Sequence, residues 1–379
     1  MRLEAVRRKL LTRDRVMVAH MMDNPKPSRG DGNLRATSSE RGRFVEWRPG
    51  APGPDKASWS GAERENIEGT GNTGRIGRLA FVVLTFNTRD LLRRCLASVS
   101  EESASLPNPT MSRVIVVDNA SSDGTADMVR DEFPAVDLTV NSENLGPARG
   151  FNLGITKALE DSDAVVVMNS DVVVLPGTVQ TMLAFLARHP EVDGVSGPLL
   201  NPDMTRQQTR THIVRLFPID KTKPFREDFP GTSFAMIRAR AFRKVGGYDE
   251  NYYFYNEDLD WATRAKAAGC VFYHVPCGGV IHFVGQGRKQ NISRIVAELY
   301  GSNIYYYRRY YPHLTWLALI LLRLEISWRI RNLRRELSRT QDPAARSRIG
   351  ESIAIYLEAR RRMEEEYLKR TYPRIPTFA

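Results

Sequence analysis

Leu79-Ala80-Phe81-Val82-Val83-Leu84-Thr85-Phe86 is an almost unbroken apolar run, and Asn87 follows it. A strand with one wet face alternates apolar and polar residues. A run without alternation is the pattern of a strand covered on both faces. Two more runs have the same form. Val114-Ile-Val-Val117 stops at Asp118-Asn119, and Ala164-Val-Val-Val-Met168 stops at Asn169-Ser170-Asp171. Asp137–Val140 and Val192–Ser196 read as shorter strands. Helical patterns separate them. Residues 88–100 place Leu91, Leu92, Cys95, Leu96 and Val99 on one side, 123–133 form a short helix, and 147–160 space Phe151, Ile155 and Leu159 by four. Pro176 and Gly177 open another helix that runs to His189. Repeated strand–helix alternation with short connections predicts an α/β fold, with a mostly parallel sheet and helices on both faces. In such sheets ligands bind outside the carboxyl ends of the strands. The polar residues there are Thr85 and Asn87, Asp118 and Asn119, and Asn169 and Asp171.

After residue 200 the alternation stops. Residues 200–230 look irregular, 231–237 read as a strand, 257–268 as a helix, and 271–274 and 279–283 as strands. Residues 291–311 read as a helix carrying Tyr305, Tyr306, Tyr307, Tyr310 and Tyr311, a run expected to pack rather than to hold sugar. Residues 323–370 are an Arg/Glu-rich helical pattern. Residues 22–77 are rich in Gly, Pro, Ser and charge without periodicity, so they cannot bury enough apolar area to offset chain entropy. Gly69, Gly71 and Gly74 there satisfy G-x-G-x-x-G, but the dinucleotide fingerprint follows a strand and opens a helix, and this one precedes a strand. Order is expected to begin at Leu79. The division that results is a disordered basic extension over 1–77, a folded domain over 78–290 and a basic helical C-terminal region over 291–379. Within the domain, 78–200 form a nucleotide-binding half and 201–290 an acceptor half.

The chain has 379 residues and a formal net charge of +11. Residues 1–78 carry a net +6, residues 308–379 a net +8, and the segment between them −3. A nucleic-acid domain concentrates positive charge on its folded core; here the core is slightly acidic, and no nucleic-acid partner is expected. Basic ends suit an anionic surface such as an inner membrane leaflet, or simply water. Three cysteines, Cys95, Cys270 and Cys277, make no disulfide framework and point to a reducing compartment. No secretory signal and no run long enough to span a bilayer is evident; Leu314–Leu322 is too short. The expected location is cytoplasmic, peripheral on the inner face of the plasma membrane.

Each strand end suggests chemistry. A carboxylate at Asp118 can accept from a base N–H or a ribose hydroxyl, while Ser122 or Asp123 caps the next helix. Asn144-Leu-Gly146-Pro-Ala-Arg149 combines a turn, a helix start and a cation, all of which attract phosphate. Asn169-Ser170-Asp171 is the strongest element. A hard divalent cation needs oxygen ligands, and one carboxylate plus two diphosphate oxygens suffices. Mg2+ or Mn2+ held there would neutralise charge on a departing nucleoside diphosphate. Asn256-Glu257-Asp258-Leu-Asp260-Trp261 opens a helix, where the helix dipole favours acids with or without a catalytic role. Asp260 and Arg264, four apart, are expected to pair on the helix surface. His282, at the end of a strand before Gly285-Gln-Gly287, could serve a metal or a diphosphate.

Taken in order, these motifs resemble family 2 glycosyltransferases, and most of all their bacterial rhamnosyltransferase-like subgroup. The motifs are Val83-Leu-Thr-Phe-Asn87, Val116-Val-Asp-Asn-Ala-Ser-Ser-Asp-Gly-Thr125, Asn144 to Asn152, Asn169-Ser-Asp171, Gly246-Gly-Tyr-Asp-Glu250 and Asn256 to Trp261. They span roughly 79–290. The resemblance implies a GT-A fold with a C-terminal helical extension, a nucleotide-diphosphate-sugar donor and inversion at the anomeric carbon. It implies nucleotide-sugar binding by Thr85, Asn87, Asp118, Asn144, Arg149, Asn169 and Ser170. It implies a metal at Asp171, with His282 as a second ligand, and a general base at Asp258, with Glu257 the alternative. Asn169 stands where many members have an Asp, so one ligand of the D-x-D pattern is neutral here. The expected reaction moves a sugar, rhamnose from dTDP-rhamnose first, to a glycan or polyprenyl-linked acceptor in cell-wall or surface polysaccharide assembly. A sugar nucleotidyltransferase is a rival, but it should carry a Gly-rich loop after the first strand, and Thr85-Phe-Asn-Thr-Arg-Asp90 has no glycine. A non-catalytic scaffold is the other.

Overall fold

The computed structural model describes residues 74–107, 110–207, 222–228, 230–283, 292–369 and 371–378. The expected extension up to residue 73, and Gly285-Gln-Gly287, lie outside the described residues. The main sheet has eight strands in the order β3-β2-β1-β4-β9-β6-β10-β8. These are β1 (Arg78–Thr85), β2 (Met111–Asp118), β3 (Asp137–Val140), β4 (Ala164–Asn169), β6 (Gly194–Ser196), β8 (Phe225–Glu227), β9 (Phe234–Arg238) and β10 (Phe272–His274). Six run parallel; β9 and β8 run against them. The mostly parallel sheet is therefore as expected, and its reversed strands fall in the half where the alternation fades.

The apolar runs are continuous because both faces are covered. Phe81, Val83, Val116, Val166 and Met168 point to one face. They pack there against α1 (Arg89–Ala104), α2 (Thr125–Glu132) and α4 (Thr178–Arg188). Ala80, Val82, Ile115, Val165 and Val167 point to the other, against α3 (Gly146–Ala158), α5 (Ala239–Val245) and α6 (Glu257–Ala267). Each fully buried Val, Phe or Met stabilises by about 1.5–3 kcal/mol relative to exposure. Helix α3 closes tightly on β1 because its inner face is small. A Cβ on Gly150 or Gly154 would come within 2.4 Å of Leu84 or Val82.

Several elements escape a pattern reading. Order begins before Leu79: Ile76 is buried, Arg238 donates to the Gly74 carbonyl at 2.8 Å, and Asp163 accepts from the amides of Gly77 and Arg78. A second sheet, β5-β11-β7, is built from Val172–Val174, Val280–His282 and Leu199–Leu200. Helix α5 was not foreseen. The C-terminal helical pattern starts earlier than expected and is broken once. Helix α7 spans Ile292–Tyr310, α8 Thr315–Arg339 and α9 Pro343–Leu368. The break is chemical: the Asp342 carboxylate accepts from the amides of Ala344 and Ala345, and Pro343 opens the next helix. The chain then returns to the domain. Gly247 N donates to the Pro376 carbonyl at 3.0 Å, and Phe378 packs on Phe242.

Candidate active site

Strands β2, β1 and β4 are neighbours, with Thr85 opposite Asp118 and Leu84 opposite Asn169. Three of the polar strand ends therefore stand side by side, separated by about 4.8 Å per strand. Backbone strain collects in the loops of this region. Of the five non-glycine residues with positive φ among the described residues, Asn87 and Ala120 lie in the loops after β1 and β2, and Tyr255 and Asn256 precede α6.

Asp118 is fully buried. Its Oδ1 accepts from the Ser121 amide at 3.0 Å and from the Ser121 hydroxyl. Its Oδ2 is buried with no hydrogen-bond partner. Burial raises its pKa, against the opposing effect of the Ser121 bonds. An unsatisfied buried carboxylate oxygen is costly, and a ligand N–H or hydroxyl would satisfy it. Such a donor needs the ionised carboxylate, so affinity should be full above the raised pKa and fall as pH drops through it. That fall should begin at a higher pH than for an ordinary aspartate, whose pKa is about 3.9. Calorimetric titration of nucleoside diphosphate across pH, parent against Asp118→Asn, reads this directly. The variant should bind more weakly and lack the acid limb; two superimposable pH profiles would remove Asp118 from the ligand.

The residues around Asp118 mostly hold the loops. Asn87 N donates to the Ser121 hydroxyl at 2.8 Å, and Asn87 Oδ1 accepts from Ser122 N at 2.7 Å. The hydroxyls of Thr85, Thr88 and Ser170 form a buried chain, 2.9 and 2.7 Å long, from β1 to the turn after β4. Thr88 was not singled out from sequence. The cap of α2 also differs: Gly124 occupies the N-cap with φ 81°, while Asp123 accepts from Thr125 N at 3.1 Å.

Asp171 lies just beyond this chain. Its Oδ1 is buried without a hydrogen-bond partner and stands 3.4 Å from His282 Nε2. The small sheet makes that approach, pairing His282 with Val172, and Phe283 N donates to the Asp171 carbonyl. Gln207, also missed from sequence, orients the ring. Its amide nitrogen donates to the His282 and Leu200 carbonyls, which leaves Oε1 as acceptor for His282 Nδ1 at 3.0 Å. With the proton on Nδ1, a neutral ring turns the Nε2 lone pair toward a carboxylate oxygen. Two lone pairs facing each other suit a cation between them, and a histidine so oriented is the usual form of a metal ligand. Among the described residues no three His, Cys, Asp or Glu groups could hold a metal. Asp171 and His282 could supply two ligands to a divalent ion, which would need substrate oxygens and water for the rest.

The other predicted residues gather at the start of α3. Asn144 Oδ1 accepts from Gly146 N, and the Asn144 carbonyl accepts from Tyr253 OH at 3.3 Å. Arg149 is paired with Glu250 at 3.3 Å. Asn152, buried in α3, exchanges hydrogen bonds with the backbone of Tyr248 and also donates to Glu250. These contacts tie the loop 246–256 to the start of α3. That loop leads into α6, where Glu257 is buried and Asp258 half-buried. Asp260 and Arg264 pair at 2.8 Å, but not on the surface: the Asp260 side chain is wholly enclosed. Helix α7 completes the enclosure. Arg309 bridges Asp249 and Asp260 at 3.1 and 3.3 Å, and Tyr305 and Tyr310 donate to the same two carboxylates. Asn256 donates to Asn303, and Ser302 to the Phe254 carbonyl. The tyrosine run thus packs and hydrogen-bonds, as expected of the packing reading.

The mostly parallel sheet thus carries the buried Asp118 at the end of β2 and the Asp171–His282 pair beyond the end of β4, on either side of β1. The model of "Glycosyl transferase family 2" matches residues 80–246, that of "Glycosyl transferase family group 2" matches 164–334, and the chain belongs to the family 2 glycosyltransferases. It is an enzyme of that class. It is similar to the N-acetylglucosaminyl-diphospho-decaprenol L-rhamnosyltransferase of Mycobacterium tuberculosis, 28% identical over 237 residues, 54% of this chain and 75% of that protein. Rhamnosyltransferase WbbL of Escherichia coli (strain K12) is 31% identical over 67 residues, 18% of this chain and 25% of that protein. Among solved structures, a mannosyltransferase from Pyrobaculum calidifontis with GDP-Man and Mn2+ is 17% identical at a TM-score of 0.45. That match covers 76% of this chain and 87% of the other.

Proposed function

We propose that the chain transfers rhamnose from dTDP-rhamnose to a hydroxyl of a polyprenyl-linked glycan, in cell-wall or surface polysaccharide assembly. One observation of this chain carries the donor half: two buried carboxylate oxygens, Asp118 Oδ2 at the end of β2 and Asp171 Oδ1 beyond the end of β4, lie on either side of β1 without hydrogen-bond partners. The sugar and the lipid-linked acceptor follow the relatives, which are rhamnosyltransferases, one of them acting on a diphospho-decaprenol glycan. Donor binding is assigned to 78–200 and acceptor binding to 201–290. A lipid-linked acceptor suits an enzyme at the inner face of the plasma membrane.

Inversion requires one displacement. Asp258 takes the proton of the acceptor hydroxyl. The hydroxyl oxygen bonds to the anomeric carbon as the opposite carbon–oxygen bond breaks, and the electron pair leaves with the nucleoside diphosphate. Asp118 holds the nucleoside. Asp171 and His282 would hold a divalent ion, Mg2+ or Mn2+, which neutralises the diphosphate charge. Asn87, Thr85, Thr88 and Ser170 fix the loops, Asn144 sets the start of α3, and Asn169 presents the turn. Arg149, paired with Glu250 at the start of α3, is assigned to the donor phosphates.

The test is a panel of nucleotide sugars screened by metal-dependent thermal shift, followed by product analysis with a polyprenyl-diphosphate-linked glycan. dTDP-rhamnose should stabilise most and yield dTDP with transferred rhamnose. Release of pyrophosphate would identify a nucleotidyltransferase, and no turnover with any donor would leave a scaffold.

A further inference from the structure

Helix α8 is apolar on two sides, and only one of them is covered. Ala318, Leu319, Leu322, Ile326 and Ile330 are buried. On the far side Trp316, Ile320, Leu324 and Trp328 are 55%, 44%, 62% and 53% exposed. Spacing by four keeps them on one side of the helix over about 18 Å. Single exposed apolar residues need no explanation, but a contiguous stripe does. The charge pattern says what covers it. Helix α8 has six arginines and two glutamates. Arg323 flanks the stripe, and Arg331, Arg334, Arg335 and Arg339 continue beyond it, all exposed; Glu336 is the one exposed acid of the helix. Arg329 is excluded, since it turns inward to Glu325 and lies over the Tyr356 ring. Tryptophans within an apolar stripe and cations beside and beyond it suit a bilayer interface, where indole rings sit at the headgroup level and cations meet the phosphates. No described helix is long and apolar enough to cross a membrane, so α8 would lie in the interface plane.

We propose that this face of α8 docks on an anionic lipid bilayer, with Trp316, Ile320, Leu324 and Trp328 inserted and Arg331, Arg334 and Arg335 on the phosphates. The inference is independent of the donor and is tested without sugar. The full chain is floated with vesicles of phosphatidylglycerol and phosphatidylcholine, and with phosphatidylcholine alone. The parent should bind the anionic vesicles, less so as salt rises. Trp316→Ser/Leu324→Ser/Trp328→Ser should bind about a hundredfold less. Arg331→Gln/Arg334→Gln/Arg335→Gln should lose the salt-sensitive part and tests the same claim should the serine variant misfold by circular dichroism. Serine and glutamine variants that bind as the parent does would overturn the proposal, as would a parent that ignores anionic vesicles. A parent that sediments as a dimer without binding vesicles, with a monomeric serine variant, would overturn it in favour of a second copy of the chain.

Discussion

Asp258→Asn is expected to lower kcat by about 10²–10⁴-fold while leaving donor binding largely intact, the range general-base catalysis contributes. Asp258 stands in the first turn of α6, half-buried. The segment that leads to it is fastened by Asn256 to Asn303 and by Ser302 to Phe254, and the Asp258 carboxylate itself accepts from the Leu259 amide at 2.8 Å. Asparagine keeps the size and removes the proton acceptor, so it tests charge and not packing. Glu257→Gln is the paired control: the neighbouring side chain points about 100° away around the helix, and Glu257 is the more deeply buried of the two. Steady-state kinetics with saturating donor separate the cases. Near-normal turnover in Asp258→Asn with loss in Glu257→Gln would move the base to Glu257. Activity in both would refute the displacement as written.

Arg309→Met should destabilise the fold by about 3–5 kcal/mol, because it takes a cation from two buried carboxylates and leaves Asp260 with Arg264 and Asp249 with hydrogen bonds alone. Asp249 and Asp260 have no exposed side-chain surface, and Arg309 reaches both. Burial already raises the Asp260 pKa, with Arg264, Tyr310 and Arg309 opposing it. Without Arg309 that pKa rises further. A carboxyl whose folded pKa is raised costs least where it is protonated, so the deficit should shrink as pH falls and be largest at neutral pH. Urea unfolding of parent and variant at neutral and mildly acid pH measures both effects. A loss below about 1 kcal/mol at neutral pH, within the range of an ordinary substitution, would show that Arg309 is not what neutralises the pair. Arg309→Lys should recover part of the stability, since it keeps the charge but not the fork.

What could be read from sequence was local. Runs such as Phe81–Leu84 and Val165–Val167 declare themselves because β-branched and aromatic residues without alternation have few other uses, and strand ends follow once the strands are known. Asp118, Asp171 and Asp258 were therefore placed correctly at strand ends and at a helix start. Contacts between distant segments were hidden. His282 meets Asp171 only because β11, legible as a strand, pairs with β5 and β7, which are too short to show a pattern. Gln207 sits in a stretch that looks irregular. Asp260 and Arg264 look like a surface pair because four-residue spacing is all a sequence shows; enclosure by Arg309 and Tyr310 comes from a helix some 50 residues later. The exposed face of α8 was legible only as an apolar run followed by arginines, without the side it faces.

Calorimetry with nucleoside diphosphate, with and without Mn2+, on the parent and on Asp171→Asn is the most direct test of a metal-assisted donor site. The parent should bind more tightly with the ion. The variant should keep its metal-free affinity, because Asp118 and the loops are untouched, and lose most of the gain from Mn2+. A variant whose gain from Mn2+ equals that of the parent would contradict the site.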